Sequence, residues 1–285
     1  PVVVPMATLR PETVRGVTNA YVDPDAEYAL ADVDGERWFV SVEAAEKFDL
    51  QGREVSVERT VPGEALVGER VENPVTGEAV LVLPASFVDP DNATGVVMSV
   101  PGHSPDDWVA LREAKDDPER MRSYGVDPAE VDAIEPRAIL EIDDYGEFPA
   151  GDVVAEYDIE HQDDPALEEA TQELYNAEFN RGRLLEDYGE FAGEVVADVR
   201  DRFRAHYAGE GVFDTMHEFT EEVVCRCGGA VEVAKQETWF LRYNDEEWKA
   251  KAREAVANMA AIPENTREQY DHTIGWLEEW PAIRN

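Results

Sequence analysis

The chain has 285 residues, of which 43% are hydrophobic and six are tryptophan, so it can bury a large core and does not resemble a disordered acidic protein. Its 64 Asp and Glu outnumber 25 Lys and Arg, and the formal net charge of −39 argues against non-specific binding of nucleic acid through cationic contacts. No apolar run approaches the roughly 18 residues of a membrane span, and Pro1–Pro5 lacks a signal-peptide pattern, so we expect a cytoplasmic protein.

The acidic residues run along nearly every segment rather than forming one tail. A folded protein with this charge suits molar salt, where the Debye length falls to about 3 Å and self-repulsion is screened. We therefore expect a halophilic protein, with an ordinary acidic protein as the alternative. Because counterion release is weak in molar salt, the charge does not exclude RNA as a partner.

The first 100 residues are typical of β-structure, with Gly and Pro at close spacing as in a small barrel. Asp34-Gly35 lies between two strand-like runs and predicts a hairpin. Strands are expected at residues 28–33, 37–40, 55–58, 79–83 and 96–100.

Helices are predicted after residue 100. Ser104 followed by Pro105 and two aspartates is a helix-start signal. Apolar residues at helical spacing predict further helices at 164–182, 195–209, 248–259 and 270–277, and a hairpin is expected at 219–233 with its turn at Gly228-Gly229. The fold class is therefore α+β.

Cys225 and Cys227 form a single C-x-C pair. A structural zinc site needs four ligands, and His217 nearby would supply only a third. The pattern favours two reduced thiols beside a turn, and we expect neither a metal nor a cofactor, because no nucleotide-binding glycine loop is present.

Three separated stretches carry a family resemblance. Residues 7–14 read A-T-L-R-P-E-T-V, and residues 93–107 read A-T-G-V-V-M-S-V-P-G-H-S-P-D-D. The third stretch comprises V-C-R-C-G at 224–228, Q-E-T-W-F at 236–240 and W-L-E-E-W at 276–280. In this order they resemble the editing insertion of archaeal-type leucyl-tRNA synthetases and the chain that leaves it.

This resemblance implies a domain plan. Residues 1–215 would form a β-barrel-like editing domain with flanking helices, residues 216–238 a hairpin hinge, and residues 239–285 part of the split Rossmann catalytic domain. The H-I-G-H-like and K-M-S-K-S-like ATP signatures are absent, so this segment should not activate leucine. Ala93, in place of a family glycine, and Arg15, where tyrosine is common, depart from the pattern at the loop and the pocket mouth.

The resemblance implies hydrolysis of the ester in mischarged tRNA for leucine, with isoleucine, norvaline or methionine as the wrong amino acid. Asp107 would bind the α-ammonium of the substrate, although its position after Ser104 also fits a simple capping acid. Thr13 would exclude leucine by its β-branched side chain, although threonine hydroxyls commonly bond their own backbone.

Five further residues are assigned by the same resemblance. Thr8 and Arg10 would orient the water and the terminal nucleotide. Met98 and Val100 would line the substrate pocket, unless they are ordinary core residues of a strand. His103 would either contact the ribose or pack within the turn.

Two other functions remain open at this stage. The segment could dock tRNA without catalysis, with the remainder of the synthetase as its other partner. It could also be the editing domain of an isoleucyl or valyl enzyme, against which Met98 speaks, because those families tend to have histidine there.

Overall fold

The computed structural model describes residues 1–219, 223–263 and 265–282, and the chain forms two compact units, Pro1–Ala234 and Lys235–Asn285. The first unit mixes strands and helices, which confirms the α+β expectation. Its strands are β1 (Asn19–Val22), β2 (Glu27–Val33), β3 (Glu36–Ser41), β4 (Val55–Pro62), β5 (Arg70–Glu72), β6 (Ala79–Pro84), β7 (Val96–Ser99), β8 (Leu140–Glu141) and β9 (Arg183–Leu184). Its α-helices are α1 (Val42–Leu50), α2 (Pro105–Asp116), α3 (Pro118–Ser123), α4 (Pro128–Asp132), α5 (Pro149–Glu156), α6 (Ala166–Arg181) and α7 (Val196–Gly209).

The larger sheet has the strand order β5-β6-β1-β7. β1 runs parallel to β6 and antiparallel to β7. All four residues of β1 are buried because the strand is central and covered on both faces. The antiparallel pairing sets Asn19, where β1 begins, opposite Ser99, where β7 ends. The segment before β1 and the turn after β7 therefore meet at one edge of the sheet.

The smaller sheet has the order β3-β2-β4 and contains the predicted hairpin. Asp34 and Gly35 have φ values of 54° and 88°, the left-handed pair that a type I′ turn requires. Within the described residues both sheets stay open, so the α+β fold has two open sheets where a barrel-like closure was expected.

The five helices that were predicted, α2, α6, α7 and the two of the second unit, begin and end within a few residues of the predicted positions. Ser104 caps α2 by accepting a hydrogen bond from Asp107 N–H, and Gly182 ends α6. The buried face of α6 repeats at Leu167, Ala170, Leu174 and Glu178, so a carboxylate occupies a core position. No helix in the described part of the chain is long and apolar enough to cross a bilayer.

The segment after α7 lies along the smaller sheet and α1. Gln51 donates to His217 O at 2.7 Å and accepts from His217 N–H at 2.9 Å, while the Lys47 ammonium donates to Asp91 O and to the Glu218 carboxylate. These contacts hold His217 and Glu218 to α1 and its C-terminal cap.

The expectation of two reduced thiols is wrong: Cys225 and Cys227 form a disulfide. Gly228, with φ 83°, turns the chain and the two Cα atoms lie 5.4 Å apart, within the range that a disulfide spans. The predicted hairpin at 219–233 is reduced to one bridge between Val224 and Ala230, and residues 220–222 of that prediction lie outside the described residues.

The second unit pairs two helices with a two-stranded ribbon. Its elements are β10 (Phe240–Arg242), α8 (Glu246–Asn258), α9 (Thr266–Trp276) and β11 (Glu279–Pro281). Ile274 is buried, and the ammonium of Lys249 donates to Gly275 O at 3.1 Å. Among the described residues of this unit, Trp239, Ile262 and Trp276 are exposed apolar side chains.

Candidate active site

The segment before β1 is held by its own side chains. Arg10 N–H donates to Thr8 Oγ1 at 2.9 Å, and Pro11 starts a 3₁₀ helix that runs to Gly16. Thr13 donates to Arg10 O twice, from its N–H at 2.9 Å and from its hydroxyl at 2.7 Å. Thr13 is only 4% exposed. Because its hydroxyl is committed to Arg10 O, the rotamer of this β-branched side chain is fixed.

Arg10 connects this segment to the turn after β7 and to α6. Its guanidinium donates to Glu12 Oε1 at 3.1 Å, His103 O at 3.0 Å and Glu178 Oε2 at 2.5 Å. It also lies 4.3 Å from the centroid of the Tyr175 ring. Burial opposes the charged form of Arg10, but the carboxylates of Glu178 and Glu12 outweigh it and raise its pKa. Arg10 is thus a fixed cation.

His103 is fully buried, and both of its ring nitrogens have partners inside the protein. Ile139 N–H donates to Nε2 at 2.9 Å, so Nε2 carries no proton and Nδ1 donates to Glu178 Oε1 at 2.7 Å. The packing interpretation is therefore favoured over contact with a ribose.

Asp107 lies in the first turn of α2 and is 4% exposed. Val100 N–H donates to its Oδ2 at 2.8 Å, and Tyr21 OH donates to its backbone oxygen at 3.3 Å. Burial raises the pKa of the Asp107 carboxyl to about 7, and the hydrogen bond from Val100 and the charge of Arg10 only partly oppose this rise. A positive ligand group beside Asp107 would restore its ionised form.

Val100 and Met98 belong to one apolar cluster. Val100 is buried and packs with Val17 and Val80, and Met98, on β7, packs on the same cluster while half-buried. Both predicted roles are compatible with this position, because one cluster can serve as core and as an apolar wall.

Hydrogen bonds join six of the seven predicted site residues into one network, with Met98 as the packing neighbour. The segment before β1 is linked to the turn after β7 by the Arg10 guanidinium, which donates to His103 O. His103 N–H in turn donates to Val100 O at 2.9 Å. The network contains a buried carboxylate of raised pKa, a fixed cation and an apolar wall. Such a site can bind a small cationic substrate and stabilise negative charge that develops nearby.

Three further residues of this network, Glu12, Tyr175 and Glu178, were not predicted from the sequence. Glu12 is buried, and its Oε2 accepts no hydrogen bond from the described residues. Glu178 is fully buried. The available signal was its spacing, because it continues the apolar face of α6, where an unpaired carboxylate would be costly.

Comparison with known proteins places this site in a family context. Residues 4–116 match the family model described as leucyl-tRNA synthetase, editing domain. This range holds all seven predicted site residues and excludes Glu178. The leucine–tRNA ligase of Methanopyrus kandleri is 47% identical over 281 residues, and that of Pyrococcus abyssi 42% over 287, each across 98% of this chain. The chain spans 30% of the length of these relatives.

Solved structures show the same fold. The crystal structure described as GlLeuRS-CP1 has a TM-score of 0.68 and 29% identity, covering 76% of this chain and 84% of its own. The editing domain of the P. falciparum cytosolic leucyl-tRNA synthetase also has a TM-score of 0.68, covering 73% of this chain and 77% of its own. Its 16% identity supports likeness of fold alone.

Proposed function

Because the chain is homologous to the editing domain of leucyl-tRNA synthetase, we propose that it hydrolyses the ester bond of tRNA for leucine that carries a wrong amino acid. The observation that carries the proposal is the single network that ties Thr13 and Arg10 to Asp107. An aminoacyl ester is already activated, so the site needs a positioned water and a stabilised oxyanion more than a strong nucleophile.

Asp107 binds the α-ammonium of the aminoacyl group. Val100 N–H engages one carboxylate oxygen at 2.8 Å, and the other oxygen receives the substrate. A charge-assisted bond in this dry position is stronger than one at the surface. The ammonium also favours the ionised carboxylate, which offsets the cost of burying that charge.

Thr13 excludes leucine. Its fixed rotamer holds the methyl group in one position. The leucine side chain clashes with this methyl group, while the differently branched side chain of isoleucine enters. Discrimination of this kind requires rigidity, because leucine and isoleucine are isomers that differ only in where the side chain branches, and even a whole methylene is worth only about 1–3 kcal/mol.

The remaining residues support this arrangement. Thr8 and Arg10 orient the water and the terminal nucleotide, and Met98 and Val100 line the side-chain pocket. His103 acts by holding the turn, because both of its ring nitrogens are engaged within the protein.

The setting of the reaction is also part of the proposal. The partners are mischarged tRNA for leucine and the remainder of a synthetase, since the relatives are about three times longer than this chain. Residues 1–215 form the editing domain, 216–238 the hinge and 239–285 a piece of the catalytic domain. The net charge of −39 supports the proposal that the protein functions in the cytoplasm of a halophile.

The test is deacylation of isoleucyl-tRNA for leucine in molar KCl, comparing the wild type with Asp107→Ala. Asp116→Ala is the matched control, because Asp116 is an exposed acid at the other end of α2. We expect release of isoleucine by the wild type and by the control, little release by Asp107→Ala, and leucyl-tRNA left intact. Bound tRNA without release would instead support the docking function, and preferred release from a valine or isoleucine tRNA would support the other editing families.

A further inference from the structure

We propose that Glu178 is a positioning residue for editing: it holds Arg10 and His103 together, and through Arg10 it sets the selectivity of Thr13. The inference rests on the proposed function and extends it to a residue of α6, outside the range that matches the editing family model.

The first step is the contact of Glu178 with Arg10. Glu178 Oε2 accepts from Arg10 Nη2 at 2.5 Å. The carbonyl oxygen of the same Arg10 accepts both hydrogen bonds of Thr13. Glu178 therefore contacts the side chain of the residue whose carbonyl oxygen fixes the Thr13 rotamer.

The second step is the contact with His103. Glu178 Oε1 accepts from His103 Nδ1 at 2.7 Å, and His103 O accepts from Arg10 Nη1 at 3.0 Å. Three residues thus close a ring of hydrogen bonds, to which His103 contributes both its imidazole and its backbone oxygen. This ring fixes the turn from Val100 to His103, whose first residue donates to Asp107.

Only a carboxylate at position 178 completes the ring. Both of its neighbours donate, so both oxygens of residue 178 must accept. Glutamine offers one oxygen and one NH₂ group, which would face a donor on Arg10 or on His103. A change of tautomer at His103 would not help, because Nε2–H would then face the N–H of Ile139.

The experiment measures kcat/KM for hydrolysis of isoleucyl- and leucyl-tRNA by the full chain and three variants. Glu178→Gln keeps the volume and removes the charge. Glu178→Asp keeps the charge and shortens the side chain. Glu169→Gln, an exposed acid of the same helix, is the matched control. The thermal unfolding midpoint of each variant is measured alongside.

We expect Glu178→Gln to lower the ratio of isoleucyl to leucyl hydrolysis about tenfold, with a smaller drop for Glu178→Asp and none for Glu169→Gln. Equal slowing of both substrates with an unchanged ratio would show a merely structural residue and overturn the inference. If Glu178→Gln does not fold, the ratio of Glu178→Asp decides in the same way. A wild type that hydrolyses neither substrate would overturn the proposed function itself.

Discussion

The position of Asp107 has two explanations, as an acid that caps a helix and as a functional residue. Its sequence position fits a capping acid, but a capping acid at a helix start is normally solvated, and Asp107 is 4% exposed. Burial raises the pKa of its carboxyl to about 7, far above the usual range for aspartate. A buried group with a perturbed pKa beside an apolar wall is typical of a functional site.

The pH dependence of editing should report this carboxyl. Below a pKa of about 7 Asp107 is protonated and cannot pair with an ammonium, so kcat/KM should rise with pH through that value. The measurement is kcat/KM between about pH 5.5 and about 8.5 with the uncatalysed hydrolysis subtracted. Asp107→Asn should lack this rise, and a rise that persists in the variant would assign it to another group.

Stability offers an independent check on the same carboxyl. Its pKa in the folded state, about 7, is above the unfolded value of about 3.9, so the stability that it contributes falls as pH increases from about 4 to about 7. Asp107→Asn should therefore raise the free energy of unfolding by a few kcal/mol at about pH 8 and by little at about pH 4. Denaturant unfolding at both pH values measures the difference.

Truncation of the Thr13 side chain, which removes its methyl group and its hydroxyl, should open the site to leucine. Thr13→Ala is expected to raise hydrolysis of correctly charged leucyl-tRNA about tenfold or more, because the excluded side chain then fits. Thr60→Ala, at an exposed position of β4, is the control. Leucyl-tRNA that stays intact with Thr13→Ala would assign selectivity to the wall formed by Met98 and Val100.

The candidate site residues that could be predicted from the sequence lie in recognisable motifs, and those fixed by tertiary contact could not be predicted. Thr8, Arg10, Thr13 and Asp107 lie in two such stretches. Glu178 lies far along the chain, on a helix whose apolar spacing predicted only core. A pairing such as Glu178 with His103 depends on how α6 packs, and no local pattern encodes it.

The same contrast holds for whole elements. The hairpin at Asp34-Gly35 was predictable because its turn requires two left-handed residues. Helix α1 was not predicted: nine residues are too few for a stable isolated helix. It forms because Ser41 caps it and Phe48 packs on Trp38, with ring centroids 5.2 Å apart.

The turn between β7 and α2 gives a test at this scale. A Cβ on Gly102 would lie 2.5 Å from Arg137 O, a backbone atom that cannot move aside locally. Gly102→Ala should cost about 1–3 kcal/mol of stability and slow editing, because the turn carries His103 and precedes Asp107. Gly209→Ala, in α7, has open space and should not destabilise the protein, because alanine is favoured over glycine in a helix. Urea unfolding compares the two, and equal midpoints would refute the steric argument.

At the scale of the whole molecule, the main feature is the large excess of acidic over basic residues. Several arginines are paired with acids, as in Arg10–Glu178 and Arg53–Asp34. The acids in excess, which give the net charge of −39, repel one another, and salt must screen this repulsion. Sequence composition predicted this property directly, because it requires no knowledge of the fold.

Salt should therefore stabilise the protein strongly. The thermal unfolding midpoint is expected to rise steadily between about 0.1 M and about 2 M KCl, as the Debye length falls from about 10 Å toward a few ångströms. Sucrose of equal osmolality is the control, because it strengthens burial without screening charge. A midpoint that responds equally to both would remove the support for a halophilic protein.

The same composition determines where the protein can be attached to a surface. Lys47 and Lys249 are buried, and their ammonium groups donate to backbone carbonyl oxygens. Lys115 is half-buried, and its ammonium donates to Ile134 O. Lys235 and Lys251 are the exposed lysines, and both belong to the second unit. Coupling chemistry directed at lysine side chains would therefore anchor the chain to a biosensor chip through that unit and leave the side chains around Asp107 unmodified.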